Sequence, residues 1–417
     1  MSNDFGTTTF KMDSGERYCH VINLTTGLPE FYPNLYLTTQ VRNRSRASST
    51  ILATAGSLVV LLRFFERRQI DIQERILTRR FLSPHEVDAL SDYMQRKFRR
   101  APKEEPVDSM FTLDELEELE GSVDSGTHYM RLTNSAKYLK WLAGQLFQSP
   151  DSQASERIKA IESQITARRP ERKRRNEDRD RSLSEEQLDL LFDSLKLDSP
   201  INPFGKEVQR RNRLIISMLY YLGIRGGELL NIRIPDINFH NNQIKIVRRA
   251  DEEDDPRGLE PNTKTLERTL PIGDVLSHEL HEYINKDRRR VQNARKNDFL
   301  FVTHKSGPTV GQPLSKSGYF KIINQIKTLS PILYALTGHM LRHSWNFDFS
   351  EQMDSSESPL SEERQAQLRS YLMGWKPGSG SAEYYNRRFV KQQAKEAGLA
   401  LQATNGTRLP QGLSNEK

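Results

Sequence analysis

A single cysteine, Cys19, stands in a chain of 417 residues. An intrachain disulfide is therefore impossible, and a zinc site built from several cysteines is excluded. The opening Met-Ser-Asn-Asp has neither the basic start nor the apolar stretch of a secretory signal. Long apolar runs are missing too. The longest, Ile51 to Leu62, is interrupted by Gly56 and Ser57 and stops at Arg63, so it is expected to be too short to span a bilayer. Apolar residues make up only 35% of the chain, which leads us to expect exposed helices and loose connections. Together these absences predict a protein of the cytoplasm or nucleoid with no membrane partner.

What is abundant is charge. Lys and Arg outnumber Asp and Glu by 62 to 55, a formal charge of +7 with a pI near 9.3. Such an excess suits a polyanionic partner. The length allows two or three domains, each with its own core. Residues 1–40 carry Tyr18, Phe31, Tyr32 and Tyr36 with turn signals at Pro29 and Pro33, and fit either an extended arm or a small strand pair. Residues 41–165 read as helical. From Ser45 to Glu74, Leu52, Ala55, Leu58, Leu61, Leu62 and Phe65 recur mostly at intervals of three and four. Ser83-Pro84-His-Glu86 has the form of a capping box with proline in the first turn, opening a helix to about Lys97. Its basic end, Arg96, Lys97, Arg99 and Arg100, suits either phosphates or a solvated face that complements the helix dipole. Asp114 to Glu120 holds five acids and reads as an exposed helix or a partner surface, and Tyr129 to Phe147 returns to helix.

Residues 166–181 are the clearest connector. From Arg168 to Arg181 there are eight basic residues, four acidic ones and no large apolar residue, a composition that stays extended in water. Arg168, Arg169, Arg172, Lys173, Arg174 and Arg175 are candidates for contact with a phosphate backbone, the alternative being a charged spacer. Residues 182–400 open with Ser184 and Gln187 as a second capping box. An apolar helix is expected from Arg210 to Tyr221. Short strands follow at Gln243–Val247 and Leu266–Pro271, separated by the acidic loop Asp251–Pro261. Helices from Ser277 and from Lys316 flank the apolar run Phe299–Val302. Residues 401–417 read as a tail. The expected fold class is mainly α with a small antiparallel β-sheet, an α+β chain.

Two segments carry chemistry. In Leu336-Thr-Gly-His339-Met-Leu-Arg342-His343 an imidazole and a guanidinium are three residues apart, on one face of a helix. A guanidinium is a permanent cation whose planar fork suits a phosphate, and an imidazole beside it exchanges a proton near neutral pH. Trp375, the bend Pro377-Gly-Ser-Gly380 and the pair Tyr384-Tyr385 follow. Alone, this stretch is better explained by a surface pair and partly buried aromatics. The second segment, Gly223-Ile-Arg225-Gly-Gly-Glu228-Leu, adds another arginine with a carboxylate three residues on. Taken together, and in this order, the two segments resemble the catalytic domain of the tyrosine recombinases, the phage-integrase family, across roughly residues 182–400.

That resemblance implies a helical core DNA-binding domain in 41–165 and a catalytic domain, joined by the basic linker and closing around a duplex. Arg225 and Arg342 would stabilise a pentavalent phosphorane, with Glu228 supporting Arg225. Lys264, in the turn between the second and third strands, would protonate the departing 5′ oxygen. His339 would take the tyrosine proton or hold the phosphate, His343 would have a supporting role, and Trp375 would donate its indole N–H. Tyr385 is taken as the nucleophile, with Tyr384 as the alternative register. The product would be a 3′-phosphotyrosyl link. Because the ester retains the bond energy, neither a metal nor another cofactor is expected. The implied partner is double-stranded DNA, held by four protomers on two sites or with companion recombinases, for integration or excision of a mobile element. A non-catalytic architectural subunit and a type IB topoisomerase are the competing readings. Arg342 and Trp375 are farther apart than the family's habit, which points to a surface insertion at 354–362.

Overall fold

The computed structural model describes residues 5–44, 47–98, 121–147, 152–171, 181–261, 263, 265–355, 360–376, 394 and 397–402. The chain forms two compact units. One comprises Met1–Arg179 together with Asp251–Glu260, the other Asp180–Ala250 together with Pro261–Lys417. Both are mainly helical with a small antiparallel sheet, as the sequence predicts.

The first unit begins with a hairpin of β1 (Phe5–Lys11) and β2 (Arg17–Asn23), with Phe5 opposite Asn23 and Lys11 opposite Arg17. Phe5, Tyr18, Cys19 and Val21 enter the same core as the helices. Of the two alternatives for the first forty residues, the strand pair is therefore the one formed. Then come α1 (Phe31–Tyr36), α2 (Ser48–Arg67), α3 (Ile72–Leu77), α4 (Pro84–Gln95), α5 (Ser125–Leu146) and α6 (Ser152–Ala167). The helix expected to run on to Glu74 breaks after Arg67. Gln69 adopts a left-handed φ of 50°, and the Asp71 carboxylate caps α3 by accepting the N–H groups of Gln73 and Glu74.

The run Ile51–Leu62 is part of the longer α2, which is long and apolar enough to cross a membrane by length and composition only. The helix continues past Arg63, adding Phe64 and Phe65 to its apolar content. Ile51, Ala55, Leu58, Leu61, Phe64 and Phe65 are buried in the core of the unit. Ser83 and Glu86 form the expected capping box on α4: the Ser83 N–H donates to the Glu86 carboxylate at 2.8 Å, and the Glu86 N–H to the Ser83 hydroxyl at 3.3 Å. The sequence reading missed α6, whose buried Ala154, Ile158, Ile161 and Ile165 are spaced by four, three and four.

That helix runs into the expected linker as far as Ala167. The two arginines that follow have partners: Arg168 lies 2.7 Å from Asp88, and Arg169 stacks 4.7 Å above the ring of Tyr129. Arg172, Lys173, Arg174 and Arg175, the acidic stretch Asp114–Glu120, and Arg99 and Arg100 lie outside the described residues.

The loop Asp251–Glu260 was expected simply to join two strands of the second unit, yet it belongs to the first. The cause is Arg17. Its buried guanidinium donates to the carbonyls of Gly15 at 2.5 Å, Asp255 at 2.7 Å, Glu252 at 3.1 Å and Arg257 at 3.3 Å. It also lies within 3.8 Å of the Asp255 and Glu260 carboxylates. A guanidinium is retained in an interior only when most of its donors are met in this way.

The second unit contains α7 (Glu185–Ser194), α8 (Lys206–Tyr221), α9 (Gly226–Leu229), β3 (Ile237–Asn238), β4 (Gln243–Ile246), β5 (Arg268–Pro271), α10 (Asp274–Glu282), α11 (Lys316–Lys327), α12 (Gly338–Asp354) and α13 (Glu362–Met373). The strands pair antiparallel in the order β3-β4-β5, with Ile244 opposite Leu270 and Ile246 opposite Arg268. Ile215, Leu219, Ile244, Leu270, Leu280, Ile323 and Leu341 share one core, so α8, the sheet, α10, α11 and α12 fix one another. The expected Ser184–Gln187 capping box opens α7. Helix α13 starts at Glu362, the last residue of the insertion expected at 354–362.

Candidate active site

Two left-handed glycines set the geometry. Gly223, at φ 59°, follows α8 and turns the chain, so that Arg225 becomes the extended N-cap of the short α9. A β-carbon at Gly223 would lie 2.6 Å from Met373 Cε and 2.9 Å from Trp345 Cγ, so only glycine fits. Gly374, at φ 64°, ends α13 and delivers Trp375. Three residues apart in sequence, Arg225 and Glu228 have the spacing of neighbours on one helical face. Because Arg225 is an N-cap, the link differs: its backbone N–H donates to the Glu228 carboxylate at 2.9 Å, and its guanidinium stands 3.9 Å from the same group. The Arg225 side chain remains about one third exposed.

His339 and Arg342 both lie on α12, as expected, but in different surroundings. His339 is exposed and its ring meets that of His343 edge-on at 4.7 Å, whereas Arg342 is buried. The Arg342 guanidinium donates to the carbonyl of Gly223 at 2.6 Å and to that of Met373 at 2.9 Å. It also lies 5.6 Å from the ring centre of the buried Trp375. Arg342 thus joins the turn before Arg225 to the end of α13. His343, buried, is packed beneath His339.

Glu228 is the anionic centre of this cluster and is almost fully buried. Burial would raise its carboxyl, but the charge and hydrogen bond of Arg268, the charge of Arg342 and the Thr265 hydroxyl together hold it below the usual carboxylate value. Arg268 and Thr265 were not recognised from the sequence. The available signal was strand alternation, since Arg268 and Leu270 share the inward side of β5. Lys264, Tyr384 and Tyr385 lie outside the described residues, although Thr263 and Thr265 on either side of Lys264 are buried.

Arg225, Glu228, Arg342 and Trp375 are therefore brought together, with Arg268 added, while His339 and His343 share α12 with Arg342 and touch each other. Three guanidiniums, of Arg225, Arg268 and Arg342, act on one carboxylate, an excess of fixed positive charge with Arg225 facing solvent. Such a cluster attracts an oxyanion. Among the described residues no group of three or more His, Cys, Asp or Glu is arranged to hold a metal.

Residues 181–357 match the Phage integrase family, a span that includes Arg225, Glu228, Lys264, His339, Arg342 and His343. The tyrosine recombinase XerD of Halalkalibacterium halodurans is 26% identical over 166 residues, covering 40% of this chain and 46% of its own length. The XerD of Staphylococcus haemolyticus is 30% identical over 135 residues, covering 32% and 39%. The chain thus spans less than half the length of these two relatives. Among solved structures, a lambda integrase dimer bound to a COC′ core site is similar over 86% of this chain and 77% of that one, at 10% identity and a TM-score of 0.47. Over its segment 181–357 the chain is thus similar to the phage integrase family, and the relatives that match it there are tyrosine recombinases.

Proposed function

We propose that this chain is a site-specific DNA recombinase that cleaves and rejoins strands through a 3′-phosphotyrosyl intermediate. The observation that carries this reading is the gathering of Arg225 and Arg342 around Glu228, with Trp375 against Arg342 and His339 three residues before Arg342 on the same helix. In the proposed reaction the Tyr385 oxygen attacks the scissile phosphorus, or the Tyr384 oxygen in the alternative register. Its proton passes to His339. The Arg225 and Arg342 guanidiniums hold the two phosphoryl oxygens as negative charge builds, and the indole N–H of Trp375 adds a donor. The bond to the 5′ oxygen breaks, and Lys264 supplies that oxygen's proton. Attack by a partner strand's 5′ hydroxyl reverses the step, so no metal or nucleotide cofactor takes part.

The substrate is double-stranded DNA, handled by four protomers on two sites or with companion recombinases, in the integration or excision of a mobile element. The corresponding location is the nucleoid of the cytoplasm. Arg168, Arg169 and the basic run Arg172–Arg175 are assigned to the DNA backbone. The test is a nicked duplex that carries the element's own end and traps the covalent product. The wild-type chain should become linked to DNA, Tyr385→Phe should abolish the adduct, and Tyr384→Phe should retain it. The converse pattern moves the nucleophile to Tyr384. Absence of an adduct with every cognate end rules out a cutting enzyme and leaves an architectural DNA-binding subunit.

A further inference from the structure

Arg268 has no role in the reaction as proposed so far, yet it is bonded throughout the site. It starts β5, is almost wholly buried, and uses its guanidinium on three separate segments. Toward α9, it lies 2.9 Å and 3.4 Å from the two Glu228 oxygens. Toward the turn that holds Lys264, it reaches the Thr265 hydroxyl and the Leu266 carbonyl, each at 3.4 Å. Toward the end of α13, its Nε donates to the Leu372 carbonyl at 2.6 Å. The Gly374 turn closes directly over it: a β-carbon there would lie 2.6 Å from an Arg268 nitrogen, and the Gly374 carbonyl accepts the Leu266 N–H at 2.9 Å.

We infer that Arg268 is a positioning residue for strand cleavage, one guanidinium that sets the relative placement of the segments bearing Arg225, Lys264 and Trp375. The inference rests on the recombinase reading above. Arg268 acts through others: Glu228 fixes the Arg225 N-cap, Thr265 adjoins Lys264 in the chain, and Leu372 lies three residues before Trp375. A purely structural ion pair would need only Glu228. Bonds to backbone carbonyls of two further segments demand a planar fork with donors in several directions, which lysine cannot reproduce. Placement matters because a misplacement of 1 Å at a reacting group slows a step on the order of 10²-fold.

The test compares the full-length wild type with Arg268→Lys and the milder Thr265→Val on two trapping duplexes bearing the element's end, one with the natural bridging 5′ oxygen and one with sulfur in its place. When tyrosine attacks the sulfur duplex, the P–S bond breaks and the thiolate leaves without needing a proton from Lys264. Arg268→Lys should slow single-turnover cleavage of the oxygen duplex by about 10²-fold, with DNA affinity unchanged, and recover much of that loss on the sulfur duplex. Thr265→Val should give a smaller loss with the same recovery. Wild-type cleavage with both variants unimpaired overturns the inference alone. So does a loss that is equal on the two duplexes and parallels a fall in DNA affinity and melting temperature. If the wild type fails to form an adduct, the recombinase reading itself falls, and this is read before any variant is compared.

Discussion

The two arginines of the site have opposite surroundings, which separates their expected effects. Arg342 is buried and satisfies two backbone carbonyls, so Arg342→Ala orphans both. Each unsatisfied buried carbonyl costs about 1–3 kcal/mol, and the variant should lose at least about 2 kcal/mol in denaturant unfolding. Arg225 is one third exposed, and it is the backbone N–H that binds Glu228 most closely, a contact alanine keeps. Arg225→Ala should therefore unfold near the wild-type midpoint while cleaving on the order of 10²–10³-fold more slowly, the usual effect of removing one donor to a developing oxyanion. Equal destabilisation by the two variants would contradict this division. Both arginines were legible in the sequence because each sits in a recognisable local pattern. Arg268 was not: an arginine in a short strand reads as solvent-facing unless its alternation with Leu270 is weighed, and its partners Glu228 and Leu372 are 40 and 104 residues away in the chain.

At the level of elements, the sequence was most informative where a local rule acts alone. The serine-led boxes opening α4 and α7 were readable because side chain and backbone within four residues satisfy each other. The Arg225 turn was less readable, since its geometry depends on what packs behind it. Gly223 is required both by its positive φ and by the closeness of Met373 and Trp345, two side chains from distant helices. Gly223→Ala should thus destabilise by more than the ~1 kcal/mol of the backbone effect alone. It should also displace Arg342, whose guanidinium is anchored on the Gly223 carbonyl. The check is a melting curve together with the adduct assay: a variant that melts and cleaves like the wild type would show that the turn tolerates a side chain. The α6 helix escaped notice for another reason, a mostly polar sequence whose four apolar residues nevertheless keep a strict helical interval.

For the whole molecule, the modest excess of 62 basic over 55 acidic residues matters mainly through its distribution. If Arg172, Lys173, Arg174 and Arg175 lie along phosphates, replacing all four by glutamine should weaken binding to cognate and unrelated duplexes alike. It should also reduce the slope of log affinity against log salt by roughly 3–4, since each phosphate contact contributes about 0.9. A slope that does not change would make the run a spacer. The division into two units carries a separate consequence. The chain returns to the first unit at Asp251 and leaves it at Glu260, so the seam suggested by the basic run is not the only one. A fragment begun at residue 182 would keep Asp255 and Glu260 but forfeit the Arg17 around which they are folded. Such a truncation, cut where the sequence seems to invite it, would be left holding a piece of its neighbour, with Asp255 still paired to Arg257 but both acids deprived of Arg17.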